Sequence, residues 1–190
     1  MELIPFVGEP LALDLINTRP LTGEGPVDLI GDADGLAAWV EQQAGRLQDA
    51  SLLVSGRLSV EELALVHAVR DHVASAVRSL MEGRDVAAGD VAGLNAAMAA
   101  APVTRRLDWR DAHAVKSERT GTSGVQLAGF LAEDAALLLA GPEAGLIRKC
   151  EADDCVMLFV GNNARRRWCS AARCGNRVRV SRYYKRSKSS

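Results

Sequence analysis

Four cysteines confined to the last 41 of 190 residues constrain this chain more than anything else in it. They stand at Cys150, Cys155, Cys169 and Cys174, as two C-x4-C pairs separated by thirteen residues. Chance placement would produce such confinement roughly once in several hundred chains, so the clustering has a physical cause. Two short-spaced pairs joined by a loop match the demands of a closed tetrahedral zinc site, in which each turn delivers two thiolates at about 2.3 Å from the metal. The alternatives are two disulfides or four incidental core thiols. Disulfides require an oxidising compartment, and the opening Met1-Glu2-Leu3-Ile4-Pro5 has neither the basic region nor the apolar run of a secretory signal. The reading is therefore one Zn2+ per chain, in a cytoplasmic protein.

Charge divides at the same place. Residues 148–190 hold twelve Lys or Arg against three acids, a net of +9, whereas residues 1–147 hold eleven against 21, a net of −10. Four thiolates around one zinc dication lower the tail to about +7. A basic metal-binding module on an acidic body points to a polyanionic partner, nucleic acid foremost. A solvated basic face, or a dock onto the acidic body, would show the same charge.

Within the tail, Cys150 to Cys155 reads as a metal-binding knuckle. Val156-Met157-Leu158-Phe159-Val160 reads as a strand, Gly161-Asn162-Asn163 as a turn, and Arg165-Arg166-Arg167-Trp168 as the returning strand. Gly175-Asn176 offers a turn and cap before a helix from Arg177 to about Arg186. Arg179, Arg182, Lys185 and Arg186 share one arc of that helix, with Val180, Tyr183 and Tyr184 on the opposite side to pack on Phe159 and Trp168. The expected fold is treble-clef-like. Its phosphate-contacting set is Arg165, Arg166, Arg167, Arg177, Arg179, Arg182, Lys185 and Arg186, with double-stranded DNA as the expected partner.

Arg166-Arg167-Trp168-Cys169-Ser170 and Cys174-Gly175-Asn176-Arg177 resemble the CGNR-type zinc finger. The segment Gly8 to Thr18, followed by Asp28-Leu29-Ile30 and Leu36 to Val40, is similar to the ABATE domain that precedes this finger in stress-induced transcription regulators. The likeness spans nearly the whole chain and implies that the four cysteines are the zinc ligands. The Gly161-Asn162-Asn163 tip departs from the family pattern, where an acidic residue and a longer basic turn are expected.

The remaining chain predicts a mainly α (α+β) architecture: a helical domain over 1–141 with one small β-hairpin, then the finger over 146–190. Asp32 caps a helix through Leu36, Trp39 and Val40. Ser59 and Glu62 form a capping box ahead of apolar positions Leu63, Val66, Val69, Val73, Val77 and Leu80. Asp85 to Ala101 is helix-prone, Val103–Trp109 and Ala112–Glu118 make the hairpin, and a last helix runs from Ser123 or Gly124 to Gly141-Pro142. Glu133 and Asp134 interrupt the best apolar run, which argues against a membrane span.

Catalytic material is thin. His67 and His72 lack metal-helix spacing, and with every cysteine given to zinc no thiol remains as a nucleophile, so no enzyme activity is expected. Asp14 and Asn17 share a helix face, either as local caps or as the lining of a pocket for a small-molecule effector. The overall reading is a DNA-binding transcription regulator, with homodimerisation open. An RNA-binding or protein-interaction module and a zinc-thiolate redox sensor are the other readings.

Overall fold

Ser59 sets the start of the longest helix. Its Oγ accepts from the Glu62 amide at 3.2 Å, and Glu62 Oε2 accepts from the Ser59 amide at 2.9 Å, closing the expected capping box. In the computed structural model, which describes residues 8–47, 58–110 and 113–187 (182–186 by their backbone), this helix, α3, runs Val60–Met81. It ends where Gly83 adopts φ +67°, a left-handed conformation that costs glycine little. The amides of Gly83 and Arg84 then return to the carbonyls of Leu80 and Ser79, satisfying the helix end.

Periodicity decides the rest of the core. Val66, Val69, Val73 and Val77 of α3 face α5, Ser123–Ala140, which buries Leu127, Leu131, Ala135 and Leu138. Against both packs α4, Ala88–Ala100. Its Gly93 lies so close to the His72 ring that an added Cβ would sit 2.2 Å from Nε2. The short α1, Leu11–Ile16, is buried almost entirely, and Asp134 of α5 accepts its Ala12 amide at 2.8 Å. Helix α2, Ala33–Gln42, starts at Asp32, whose carboxylate accepts from Gly35, and buries Leu36, Trp39 and Val40. By length and composition α5 could cross a membrane, but here it is a core helix packed against α3 and α4.

Among the described residues, three two-stranded antiparallel sheets complete the fold. Strands β1 and β2 are the stubs Leu21–Thr22 and Gly25–Pro26. The expected hairpin is present as β3, Val103–Asp108, and β4, Ala114–Arg119, with Leu107 opposite Val115. Its second strand starts two residues later than expected, because His113 at φ +46° belongs to the turn. Past α5 the chain makes a 3-10 turn, Ala144–Leu146, and enters β5, Ile147–Lys149, paired with β6, Leu158–Val160. Ile147 and Val160 belong to the same apolar core as α3 and α5, so finger and helical body share packing. The architecture is mainly α with small two-stranded sheets, as expected.

One ion pair with a buried guanidinium was not foreseen. The Arg70 side chain on α3 is 1% exposed and forks onto Asp28 at 2.7 and 2.6 Å, with Thr18 Oγ1 at 2.9 Å. It ties the loop between α1 and α2 to the longest helix. Although burial alone would raise it, the Arg70 guanidinium, with help from the Ile30 amide and Arg19, holds the Asp28 carboxyl down at about 2. Replacing Asp28 with Ala strands a buried guanidinium and is expected to destabilise by about 3–5 kcal/mol in urea denaturation. Because the folded pKa lies below the ordinary value, this pair's contribution is full above about pH 4 and is lost as pH falls towards 2. The Asp28→Ala variant should show a flatter stability profile over that window.

Candidate metal centre

The first ligand pair sits in a turn that two strands clamp. With Ile147 opposite Val160 and Lys149 opposite Leu158, residues 150–157 form the loop of a hairpin. The Cys150 amide donates to the Met157 carbonyl at 2.9 Å and that of Cys155 to Ala152 at 3.0 Å. This corrects the expected hairpin, which paired 156–160 with 165–168. The strand β6 instead takes its partner from upstream, because that register buries Ile147 and Val160 against the helical body. Residues 161–168 are a loop, in which Asn163 Oδ1 accepts from the Arg165 amide at 2.9 Å and the Asn163 carbonyl accepts from Arg166 at 2.9 Å.

The second pair sits at a helix start, as expected. The Ser170 hydroxyl accepts from the Arg173 amide at 3.2 Å and caps a π turn, Ala171–Gly175, that carries Cys174 and continues into α6, Asn176–Ser187. The expected cap at Gly175-Asn176 therefore lies inside the helical run. Around the cysteines pack Ala152, Met157 and Phe159, with Trp168 and Val178 partly buried against them. Val180 is 53% exposed, so the helix is anchored through Val178 rather than the Val180 side. The Tyr183 and Tyr184 side chains lie outside the described ones.

All four Sγ atoms lie within 4.8 Å of one another, with 3.8 Å between Cys155 and Cys169 and 3.6 Å between Cys169 and Cys174. A tetrahedron with Zn–S of about 2.3 Å has edges of about 3.8 Å, so the donor set fits zinc. The same separations far exceed the roughly 2.05 Å of a disulfide, and all four thiols are free and buried. The hydrogen bond from Cys169 draws the Cys155 thiol down to about 5, while the same contact and burial push Cys169 up. Burial first, then the neighbouring Cys155, raises Cys174 to about 11. Four thiolates cannot coexist in this volume without a cation. Bound zinc would supply that charge as a structural cross-link, held by Cys150, Cys155, Cys169 and Cys174.

The other expected site residues divide into two groups. Arg166 is not held out to solvent. It pairs with Glu9 of the helical body and donates to the carbonyls of Val160 (3.3 Å), Trp168 (3.3 Å) and Cys169 (2.8 Å), its guanidinium 4.4 Å from the centre of the Phe159 ring. Exposed with Arg165 are Arg167, Arg173, Arg177 and Arg179, Arg167 being paired with Glu151 at 2.5 Å and Arg177 with Asp154 at 2.7 Å. Arg182, Lys185 and Arg186 lie on α6.

Asp14 and Asn17 are buried and committed to the protein itself. Asn17 Nδ2 donates to the Leu158 carbonyl at 2.9 Å and its Oδ1 accepts from the Leu158 amide at 2.8 Å, so the side chain pairs with β6 as a strand would. Asp14 accepts from the amides of Gly8 and Glu9, from Gln43 and from Arg46. Burial raises its carboxyl above the ordinary value against those donors. The two side chains thereby form a joint between α1 and its neighbours. Glu9, which sequence reasoning passed over, belongs to that joint, accepting from the Val160 amide at 2.9 Å as well as from Arg166. Its only signal was a single acid between Gly8 and Pro10 inside an apolar opening segment. His67 contacts the Ile30 carbonyl at 2.7 Å and His72 pairs with Asp90 at 3.0 Å, both structural contacts.

Two family models match the chain. The ABATE model, described as "Putative stress-induced transcription regulator", covers residues 9–142, and the CGNR zinc finger model covers 147–187. No curated protein matches it.

Protein purified without added metal should contain about one zinc per chain by elemental analysis, and Cys169→Ser should lose it. Asn17→Ala removes two hydrogen bonds across the joint and should lower stability by about 2 kcal/mol at saturating zinc in thermal denaturation. Body and finger should still unfold in one transition, because they share a core.

Proposed function

The chain belongs to the ABATE family and ends in a CGNR zinc finger, and from that premise we propose that it is a cytoplasmic, zinc-dependent DNA-binding transcription regulator. The observation that carries this reading is the ring of exposed bases on a zinc-held module. Arg148, Lys149, Arg165, Arg173 and Arg179 are exposed around the metal centre, and the module carries a net +9 by residue count, about +7 with zinc on four thiolates, beside a body of −10. Such a field attracts a polyanion to the finger and repels it from the body, which orients the encounter. Arg167 and Arg177 belong to the same surface. Their carboxylate partners are about half exposed, so exchanging them for phosphate costs little. Arg166 drops out of the phosphate-contacting set, because its guanidinium braces the loop that leads into Cys169.

The helical domain is proposed as the part that receives a signal, such as a small-molecule effector. That effector would have to act without Asp14 and Asn17 as ligands, and α1, which holds β6 through Asn17, is the route by which a change in the body would reach the finger.

Binding to duplex DNA should weaken by about 0.9 log units per log unit of salt for each phosphate contacted. Converting Arg182, Lys185 and Arg186 together to Ala should weaken binding and make that slope shallower by about two to three, with the helical body unchanged by circular dichroism. An unchanged slope, or no duplex binding at low ionic strength, would refute the reading. Preferential competition by single strands would favour RNA or single-stranded DNA instead.

A further inference from the structure

The β3–β4 hairpin is an amphipathic arm with its apolar face uncovered. Leu107, Trp109 and Val115 are 64%, 68% and 63% exposed. Register places Leu107 directly opposite Val115, and Trp109 follows on the same face, its ring 4.8 Å from His113. The other face carries the Arg106–Glu118 ion pair at 3.6 Å and the Lys116–Asp108 pair. Two strands alone are marginal in water, and a third strand or a packed apolar face is needed for independent stability. Both strands are edges of a two-stranded sheet, each with one side unpaired in it.

We propose that this arm is a dimerisation element, in which β3 of one protomer pairs antiparallel with β3 of a second copy about a two-fold axis at Leu107. Charge complementarity favours that occupant and selects that register among those centred on residues 105–108. A strand pairing with itself about a two-fold must place one residue opposite its own copy. Centred on Arg105 or Arg106, guanidinium meets guanidinium, and centred on Asp108, carboxylate meets carboxylate. Centred on Leu107, leucine meets leucine, Arg106 comes opposite Asp108, and the exposed Arg105 comes opposite the exposed Trp109, a cation–π pairing. The product is a four-stranded sheet in the order β4-β3-β3-β4. Its apolar face gathers Leu107, Val115 and Trp109 from both copies, and each added bond satisfies an edge group. The inference does not depend on what the finger binds.

The test is light scattering and sedimentation of the full-length, zinc-loaded protein, with variants on each strand. The wild type is expected to dimerise, and Leu107→Lys, which sets two ammonium groups face to face on the axis, should raise the dissociation constant at least about tenfold. Because Leu107 is exposed, the variant should keep the fold, and its thermal unfolding should match that of wild type diluted to the monomer. Leu107→Cys should yield a covalent dimer on mild oxidation, whereas Val115→Cys on the neighbouring strand should not. A wild type that stays monomeric to about 100 μM, a Leu107→Lys protein that dimerises as before, or cross-linking through Val115→Cys in preference would each overturn the proposal. Capture of a different protein by the arm of a monomeric chain would overturn it equally.

Discussion

Four buried sulfur atoms within 4.8 Å of one another set the terms for the C-terminal quarter of this protein. As thiols they compete for one favourable ionisation, and as thiolates they repel, so the arrangement has a low free energy only with a dication at its centre. The apolar material nearby is small: Ala152, Met157 and Phe159, with Trp168 and Val178 at the margin. A core of that size cannot order about forty residues by burial alone. The metal therefore acts as the covalent staple of the module, and the knuckle, the loop and the start of α6 are ordered around it.

The second constraint is how that module is held. Linkers between domains commonly leave them free to reorient, but here Ile147 and Val160 enter the body's apolar core. Three polar side chains add direction to this packing. Asn17 presents both halves of an amide to Leu158, Glu9 receives the Val160 amide, and Arg166 reaches from the finger to Glu9 while supporting the Cys169 carbonyl. A ligand cysteine and the first helix of the body are thus two side chains apart. Any change that shifts α1 is felt at the metal loop, because the contacts are directional and largely buried rather than a sliding apolar surface.

Much of this was legible in the residues, and the exceptions have physical causes. The Cys spacing, the Ser59–Glu62 box, the valine period of α3 and the strand-like runs of β3 and β4 are local signals, and each corresponds to an element in the structure. The finger's hairpin was misplaced because Leu158–Val160 has two sequence neighbours able to pair with it. The choice between them is made by burial of Ile147 against a body far away in sequence, which no local pattern encodes. The phase of α6 went the same way: Val178 and Val180 are equally apolar, and packing against Phe159 and the cysteines decides which turns inward. Asp14 and Asn17 were read either as local caps or as the lining of an effector pocket. Their partners, Gln43, Arg46 and Leu158, lie between 29 and 141 residues away, so the sequence showed the need for partners without showing them.

Arg165, Arg166 and Arg167 illustrate how one run of identical residues acquires three environments. Arg165 is exposed on an Asx turn, Arg167 holds a half-exposed carboxylate, and Arg166 is drawn inward over Phe159. The loop sets this division, because Asn163 fixes the turn and the Arg167 carbonyl is bound by the Glu151 amide. Only one of the three side chains can then point towards Glu9. Counting positive charge in such a tail overstates the surface offered to a polyanion, since a guanidinium engaged with carbonyls and a buried carboxylate cannot leave them without exposing those groups unpaired. What remains outside is a smaller set of bases around a rigid metal-held frame. Rigidity then matters more than the total, because a preorganised array loses less conformational entropy on meeting phosphates than a flexible basic tail of equal charge.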